Sequence, residues 1–341
     1  MRINNTIKEI NREIHHSKTD LSIVLLCNKL DFFLTKICAA SIRYYYPSIP
    51  LYIVKDEING KFPTKTLENK LKVKVLDFGF KKYGYCIGKI CVLLSKELAD
   101  KKILLLDSDI VFVGKVLDKI FSLVDHSDFI VTPAYYNSYT DRWFKKAYYD
   151  IDWAKQVYPE LTFPGYAFNC GAMVVTPGKI KETEMIDYVN LSTYPYWTDK
   201  AFKHLPCRDQ SLLNILLPLK QSKGEITLKQ VPFQIWSETR QEIEKFRLDQ
   251  IAKEGYPFLI HWAGAVRIPY LSMMTRSDIL FFFQKEYYKR LVLGNIRFKA
   301  NHFYFKYSFY IMKGIKRIKN SNIVKSLQKG INSGNLKTWI V

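Results

Sequence analysis

Short unbroken apolar runs separated by stretches of helical period organise this chain. Residues 21–27, Leu-Ser-Ile-Val-Leu-Leu-Cys, form the first run, and the segment after it keeps helical spacing through Ser41 and stops at Pro47. Runs at 50–54, 71–78 and 102–106 repeat the pattern, with a helical stretch over 91–99 between the last two. Four more runs, at 129–132, 172–175, 226–231 and 258–260, predict further strands, and helices are expected over 183–190 and 209–217. Strands that read as continuous apolar runs are buried on both faces. Their alternation with helices predicts an α/β domain with a mostly parallel mixed sheet flanked by helices. With 341 residues, 48% of them hydrophobic, the chain can bury a full core. No internal repeat and no Pro-rich or Gly/Ser-rich linker divides it, so one domain over 21–290 with a tail over 291–341 is the simplest organisation.

Both ends depart from that pattern. Ile3, Ile7, Ile10 and Ile14 recur at helical spacing among charged residues, which predicts an amphipathic helix over 1–20 and lacks the apolar block of a signal peptide. No uninterrupted apolar run reaches the roughly 20 residues of a membrane-spanning helix. The net charge of +20 implies an anionic partner: nucleic acid, a membrane surface or a phosphorylated substrate. Thirteen Lys and Arg against the single Glu286 put twelve of those charges in residues 285–341. In that tail an aromatic run, 303–310, leads into Ile311, Ile315 and Ile318, spaced as one helical face among Lys313, Lys316, Arg317 and Lys319. Such a basic, helical tail suits an anionic bilayer, with nucleic-acid binding and a solvated tail as competing readings. The six cysteines form no C-x-x-C pair, and several sit in apolar runs. Reduced thiols are therefore expected, in a cytoplasmic protein held peripherally at the membrane.

Candidate chemistry gathers at two strand ends. In an extended segment alternate side chains point the same way, so Asp107 and Asp109 project from one side of the chain as it leaves the buried run 102–106. Paired carboxylates at such an exit suit a hard divalent cation, Mg²⁺ or Mn²⁺. A second D-x-D, Asp150 and Asp152, follows no apolar strand. The run 258–260 ends in His261, whose imidazole can complete an oxygen/nitrogen shell and favours Mn²⁺ over Ca²⁺. Gly264 then permits close backbone approach to a ligand, and Arg267 supplies a planar cation for phosphate. No G-x-G-x-x-G follows the first strand, so a dinucleotide-binding Rossmann site has no support.

In this order the segments resemble the glycosyltransferases of the nucleotide-diphosphosugar (GT-A) fold, and most closely glycosyltransferase family 8, which includes glycogenin and bacterial lipopolysaccharide galactosyltransferases. Leu104-Leu-Leu-Asp-Ser-Asp-Ile-Val111 is similar to the family's D-x-D strand and Phe168-Asn-Cys-Gly-Ala-Met-Val-Val175 to its F-N-x-G strand. Asp209-Gln-Ser-Leu-Leu-Asn214 is similar to its D-Q-x-x-x-N segment, and 261–270 to its H-x-x-G-x-x-K-P-W closing motif. The resemblance implies Asp107, Asp109 and His261 as metal ligands and Arg267 as the diphosphate contact in place of the family's Lys. It implies Ser108, Gly171 and Gly264 at the donor, Cys27 and Asn28 near the base, and Lys89 near donor phosphate or sugar. Asn169, Asp209 and Gln210 would face the donor sugar, with Asp209 on its hydroxyls and Gln210 close to the anomeric carbon. Arg267, the intervening Ile268 and Tyr270 in place of Trp depart from the family pattern. The aromatic-rich segment 134–166, with Tyr135, Tyr136, Tyr139, Trp143, Tyr148, Tyr149, Trp153 and Tyr158, suits either a lid that stacks on acceptor sugars or a second small core.

The implied reaction is metal-dependent transfer of a hexose from a nucleotide diphosphate sugar, with UDP as nucleotide, to a saccharide or lipid-linked acceptor with retention of configuration. A sugar-phosphate nucleotidyltransferase of related fold is the first alternative. It needs a Gly-rich loop after the first strand, where this chain has Cys27-Asn-Lys-Leu-Asp31. A non-catalytic basic protein that binds nucleic acid is the second.

Overall fold

The computed structural model describes residues 21–84, 86–134, 138–264 and 271–319. The expected helix over 1–20, Tyr135, Tyr136, the segment 265–270 with Arg267, Ile268 and Tyr270, and the tail from 320 lie outside the described residues. The described residues form ten strands: β1 Leu21–Asn28, β2 Leu51–Asp56, β3 Val73–Leu76, β4 Lys102–Asp107, β5 Ile110–Gly114, β6 Phe129–Pro133, β7 Phe168–Val175, β8 Leu228–Gln230, β9 Gln234–Trp236 and β10 Gly255–His261. Seven form a sheet in the order β3-β2-β1-β4-β7-β6-β8, parallel except where β7 runs against β4 and β6. This is the mostly parallel α/β architecture that the apolar runs predict.

Side chains alternate across that sheet into two cores. Leu21, Ile23 and Leu25 of β1 join the helices Phe32–Tyr45 and Ser277–Lys289, while Val24 joins Ile87–Leu94 and Arg208–Ser222 on the other face. Within the aromatic-rich segment Phe144, Tyr148 and Tyr149 are buried in the second of these cores and Trp153 and Tyr158 pack against it. Tyr139 and Trp143 point outward.

Several boundaries differ from the sequence pattern. The helix expected over 91–99 instead spans Ile87–Leu94, because its buried residues run from Ile87 to Leu93 and end at the polar Ser95-Lys96-Glu97. Residues 183–190 form a short 3-10 turn, Glu182–Glu184, and then a loop in which Val189 bridges Trp197. There Asn190 donates to Tyr196 O at 2.8 Å, and long-range pairing replaces the local helix. The helix expected to stop before Pro218 continues to Ser222, since Leu216, Leu217 and Leu219 are buried on both sides of the proline and outweigh its cost.

The sequence pattern did not separate out the second sheet. The chain leaves the large sheet at Asp107, turns through Ser108 and Asp109, and enters a three-stranded sheet of order β5-β10-β9. β10 runs antiparallel to β5 with His261 opposite Ile110, and parallel to β9 with His261 beside Trp236. At the far end of that ladder Gly255 has φ +73°, and a Cβ there would lie 2.2 Å from Val113 O. Gly255→Ala should lose about 1–3 kcal/mol of stability or more, through strain and backbone contact together. Urea unfolding measures this, and a variant as stable as the parent would mean the ladder closes more loosely than it is built.

Candidate active site

The large sheet ends its strands at a cavity of about 430 Å³, bounded by the ends of β1, β2 and β4. Its wall includes Cys27, Asn28, Asp56, Tyr83, Asp107, Ser108 and Asp109. Ligands in open α/β sheets bind at this edge, where loops and unpaired strand ends meet.

Asp107 is the last residue of β4, and Asp109 stands just before β5. The β5/β10 ladder brings His261 to them: its Nε2 lies 3.1 Å from Asp109 Oδ1, and Trp262 N donates to Asp109 O at 3.0 Å. One ligand atom from each of Asp107, Asp109 and His261 falls within 4.8 Å of the others, a group able to hold a metal ion. Asp109 and His261 are buried. Gly171 leaves room for the ring, because a Cβ there would meet His261 Cε1 at 2.4 Å and Asn169 Oδ1 at 2.7 Å.

A second set of residues surrounds this group. β7 bulges against β6, whose Val131 pairs with Met173 and Thr132 with Asn169, while Ala172 stays paired with Leu106 of β4. Asn169 Nδ2 donates to Gln210 Oε1 at 2.8 Å, and Asn169 Oδ1 accepts from Gly171 N and Gln234 Nε2. Gln210 Nε2 donates to Ala147 O at 3.0 Å. Asn214, one helical turn beyond Gln210, both donates to Phe168 O and accepts from Phe168 N at 2.9 Å. The D-Q-x-x-x-N spacing thus ties one helix face to the start of β7.

No protein-family model matches the chain, and no curated protein matches it in sequence. Among solved structures it is similar to the bifunctional glycosyltransferase WbbM, at 12% identity and a TM-score of 0.49 over 81% of this chain and 52% of that one. The galactosyltransferase LgtC, solved with donor and acceptor sugar analogs, gives 11% identity and a TM-score of 0.49 over 77% and 94%. GlyE of Streptococcus pneumoniae TIGR4 gives 13% and 0.44 over 82% and 62%. All three are glycosyltransferases. The chain spans about half the length of WbbM. Identity this low leaves the chemistry to the site's own geometry.

Lys89, expected near the donor, stands among the acids of this site. It is buried, and its ammonium lies 2.9 Å from Asp107 Oδ1, 3.1 Å from Asp209 Oδ2 and 2.8 Å from Cys170 O, which takes up its three protons. Burial disfavours the ammonium, yet the two carboxylates hold it well above its ordinary value. Burial also raises the Asp107 carboxyl, against the pull of Lys89 and with the push of Asp109. Asn28 is likewise engaged locally: it donates to Asp31 at 2.7 Å and accepts from Leu30 N at 2.8 Å, closing the turn after β1. The Cys27 thiol accepts from Thr35 at 3.0 Å, and burial pushes it up to about 12. Gly264, at φ +59°, turns the chain two residues after the buried Trp262.

Sequence reasoning missed Asp56 and Gln234. Asp56 accepts from Ile58, Tyr83 and Gly84 backbone N–H groups and so shapes the cavity wall. Its only signal is a carboxylate at the end of an apolar run. Gln234 carries no such mark.

The residues fit a divalent cation. Asp107 and Asp209 share the Lys89 ammonium, Asp109 stands against His261, and His261 Nδ1 is buried without a hydrogen-bond partner among the described residues. Lys89→Met should cost about 3–5 kcal/mol at neutral pH, by leaving two carboxylates buried without their cation. Without Lys89 the buried Asp107 carboxyl, already raised by burial, is raised further in the folded state, so the folded variant binds more protons and the loss shrinks as pH falls through the acid range. Urea titrations of parent and variant at several pH values read both effects, and a pH-independent difference would remove the electrostatic explanation.

Proposed function

We propose that the protein is a metal-dependent glycosyltransferase that moves a hexose from a nucleotide diphosphate sugar, with UDP as nucleotide, to a saccharide or lipid-linked acceptor. The observation that carries this reading is the Asp107, Asp109 and His261 group at the rim of the 430 Å³ cavity. In it the cavity takes the nucleoside, against the wall that Asp56 and Tyr83 shape. Asp107, Asp109 and His261 hold Mn²⁺ or Mg²⁺ against the diphosphate. Bound there, a divalent ion supplies Lewis-acid stabilisation of the charge that grows on the β-phosphate as the glycosidic bond breaks. Lys89 keeps Asp107 and Asp209 apart in charge and fixed in place. Asn169 and Gln210 line the sugar's side of the site, and Arg267 serves the diphosphate.

Retention is proposed from the family resemblance. Among the described acids of the site Asp209 is ion-paired to Lys89 and Asp107 belongs to the cation group, which argues against a covalent intermediate on either of them. In the retaining reading the acceptor attacks on the face that the diphosphate leaves. An inverted linkage in the isolated product would reject this and require a carboxylate general base.

A thermal-shift panel of nucleotide sugars with and without Mn²⁺ tests the donor side, since a ligand at a hundredfold its dissociation constant adds about 2.7 kcal/mol of stability. A UDP-hexose should stabilise the protein only with Mn²⁺ present. Asp109→Asn should lose that stabilisation and cut transfer by about a hundredfold or more. Equal stabilisation without metal, or an Asp109→Asn variant as active as the parent, would reject the cation group.

We further propose that the catalytic domain, residues 21–290, is held at an anionic membrane by its tail. No helix among the described residues is long and apolar enough to cross a bilayer. The helix Gly294–Lys319 leaves Phe303, Tyr304, Tyr307, Tyr310, Ile311 and Ile315 exposed along one side, with Arg297, Lys299 and Lys313 also exposed. Aromatic groups seat at the headgroup level while the cations meet anionic lipid. Vesicles containing phosphatidylserine should retain the protein at low salt, and truncation after Ala300 should abolish retention. Unchanged retention by the truncated protein would reject the tail's role.

A further inference from the structure

The short helix Phe144–Ala147 carries an exposed cationic and aromatic surface next to the site. Trp143 is 42% exposed. The Arg142 guanidinium lies 5.2 Å and the Lys146 ammonium 4.6 Å from its ring centroid. Neither cation makes an ion pair among the described residues. Asp141, the nearest acid in sequence, instead accepts from Trp143 N at 2.7 Å.

The Trp143 pair borders Gln210. Ala147 O, directly after Lys146, accepts from Gln210 Nε2 at 3.0 Å. Carboxylates gather at the strand ends at Asp107 and Asp109, whereas Arg142, Lys146 and the exposed Trp143 ring stand on the Ala147 side of Gln210. A ring offers apolar area to the C–H face of a pyranose, and two exposed cations that make no ion pair among the described residues favour a ligand that brings its own negative charge.

We propose that this surface binds the acceptor and that the acceptor is an anionic saccharide bearing carboxylate or phosphate groups. The inference rests on the glycosyltransferase reading and adds the acceptor's chemical class. Arg142 and Lys146 take the charges, and Trp143 takes a ring. The acceptor hydroxyl then approaches the donor from the side of Gln210.

Quenching of tryptophan fluorescence by tetragalacturonate, a phosphorylated mannotetraose and neutral maltotetraose tests this on the full-length protein, with an oligothymidine as a nucleic-acid control. One or both anionic oligosaccharides should bind about tenfold or more tighter than maltotetraose, and more weakly as salt rises. The preferred arm shows whether carboxylate or phosphate is read. The Arg142→Gln/Lys146→Gln double variant should lose about tenfold of that affinity. Trp143→Ala should weaken all three sugars, with Trp143→Phe restoring them; for these two variants displacement of a dye-labelled sugar replaces the quenching signal. If the double variant does not fold, Lys146→Gln alone serves. Equal affinity for maltotetraose, tighter binding of the oligothymidine, or no binding of any oligosaccharide would overturn the proposal. The Mn²⁺-dependent shift of the unaltered protein with UDP-hexose is read alongside. If it is present while the anionic preference is absent, the acceptor class is wrong and sugar transfer stands; if both are absent, both fail.

Discussion

The antiparallel ladder between β5 and β10 is the constraint on which the site depends. It places Ile110 opposite His261, and its continuation from Asp109 O to Trp262 N fixes the residue after the histidine as well. A strand presents alternate residues to opposite faces, so a slip of one residue would turn His261 away from Asp109 and bring Trp262 in its place. Burial of Trp262, with its indole N–H donating to Thr275 O at 2.7 Å, opposes such a slip. The imidazole is thus positioned by backbone pairing and packing, and its Nδ1 is left without a protein hydrogen bond.

Electrostatics then sets what the site can accept. Three carboxylates and one ammonium leave surplus negative charge at the site, where the penalty for unpaired charge is high. Lys89 neutralises one pair, Asp107 and Asp209. Asp107 and Asp109 line the cavity and lie with His261 in one group. An arrangement of this kind is stabilised by a bound divalent ion and pre-organised to receive one, because the ligands need no conformational search before binding.

Much of the large sheet was legible because its strands are continuous apolar runs whose burial does not depend on partners far away in sequence. The small sheet was not, although one of its strands was visible as the run at 258–260. Nothing local says that Ile110 pairs with His261, since that pairing is a property of the closed fold. The helix predicted over 183–190 failed for a related reason: Val189 and Asn190 find their partners at Trp197 and Tyr196. At the site, residue types were readable but their engagements were not. Asp107, Asp109 and His261 meet as expected, whereas Lys89 and Asn28 turn out to bond protein groups. Arg267 lies outside the described residues, and Asp56 and Gln234 act through hydrogen bonds that no motif announces.

The amide side chains near the sugar's expected position show why this region should be rigid. Asn169 donates to Gln210 and accepts from Gly171 and Gln234, while Gln210 also accepts from Cys170 N at 3.3 Å and donates to Ala147. Each bond fixes which end of the next amide is oxygen and which is nitrogen, so the orientation of all three follows from the backbone groups at either end. Reversing any one amide would oppose donor to donor or acceptor to acceptor. The chain joins the helix Arg208–Ser222, β7 and β9, three elements brought together only by the fold, and it ends at Gln234 Oε1, buried and without a hydrogen-bond partner among the described residues. A network whose interior is satisfied holds its side chains in place before a ligand arrives. Such pre-organisation lets binding energy position a substrate, because none of it is consumed in ordering the protein.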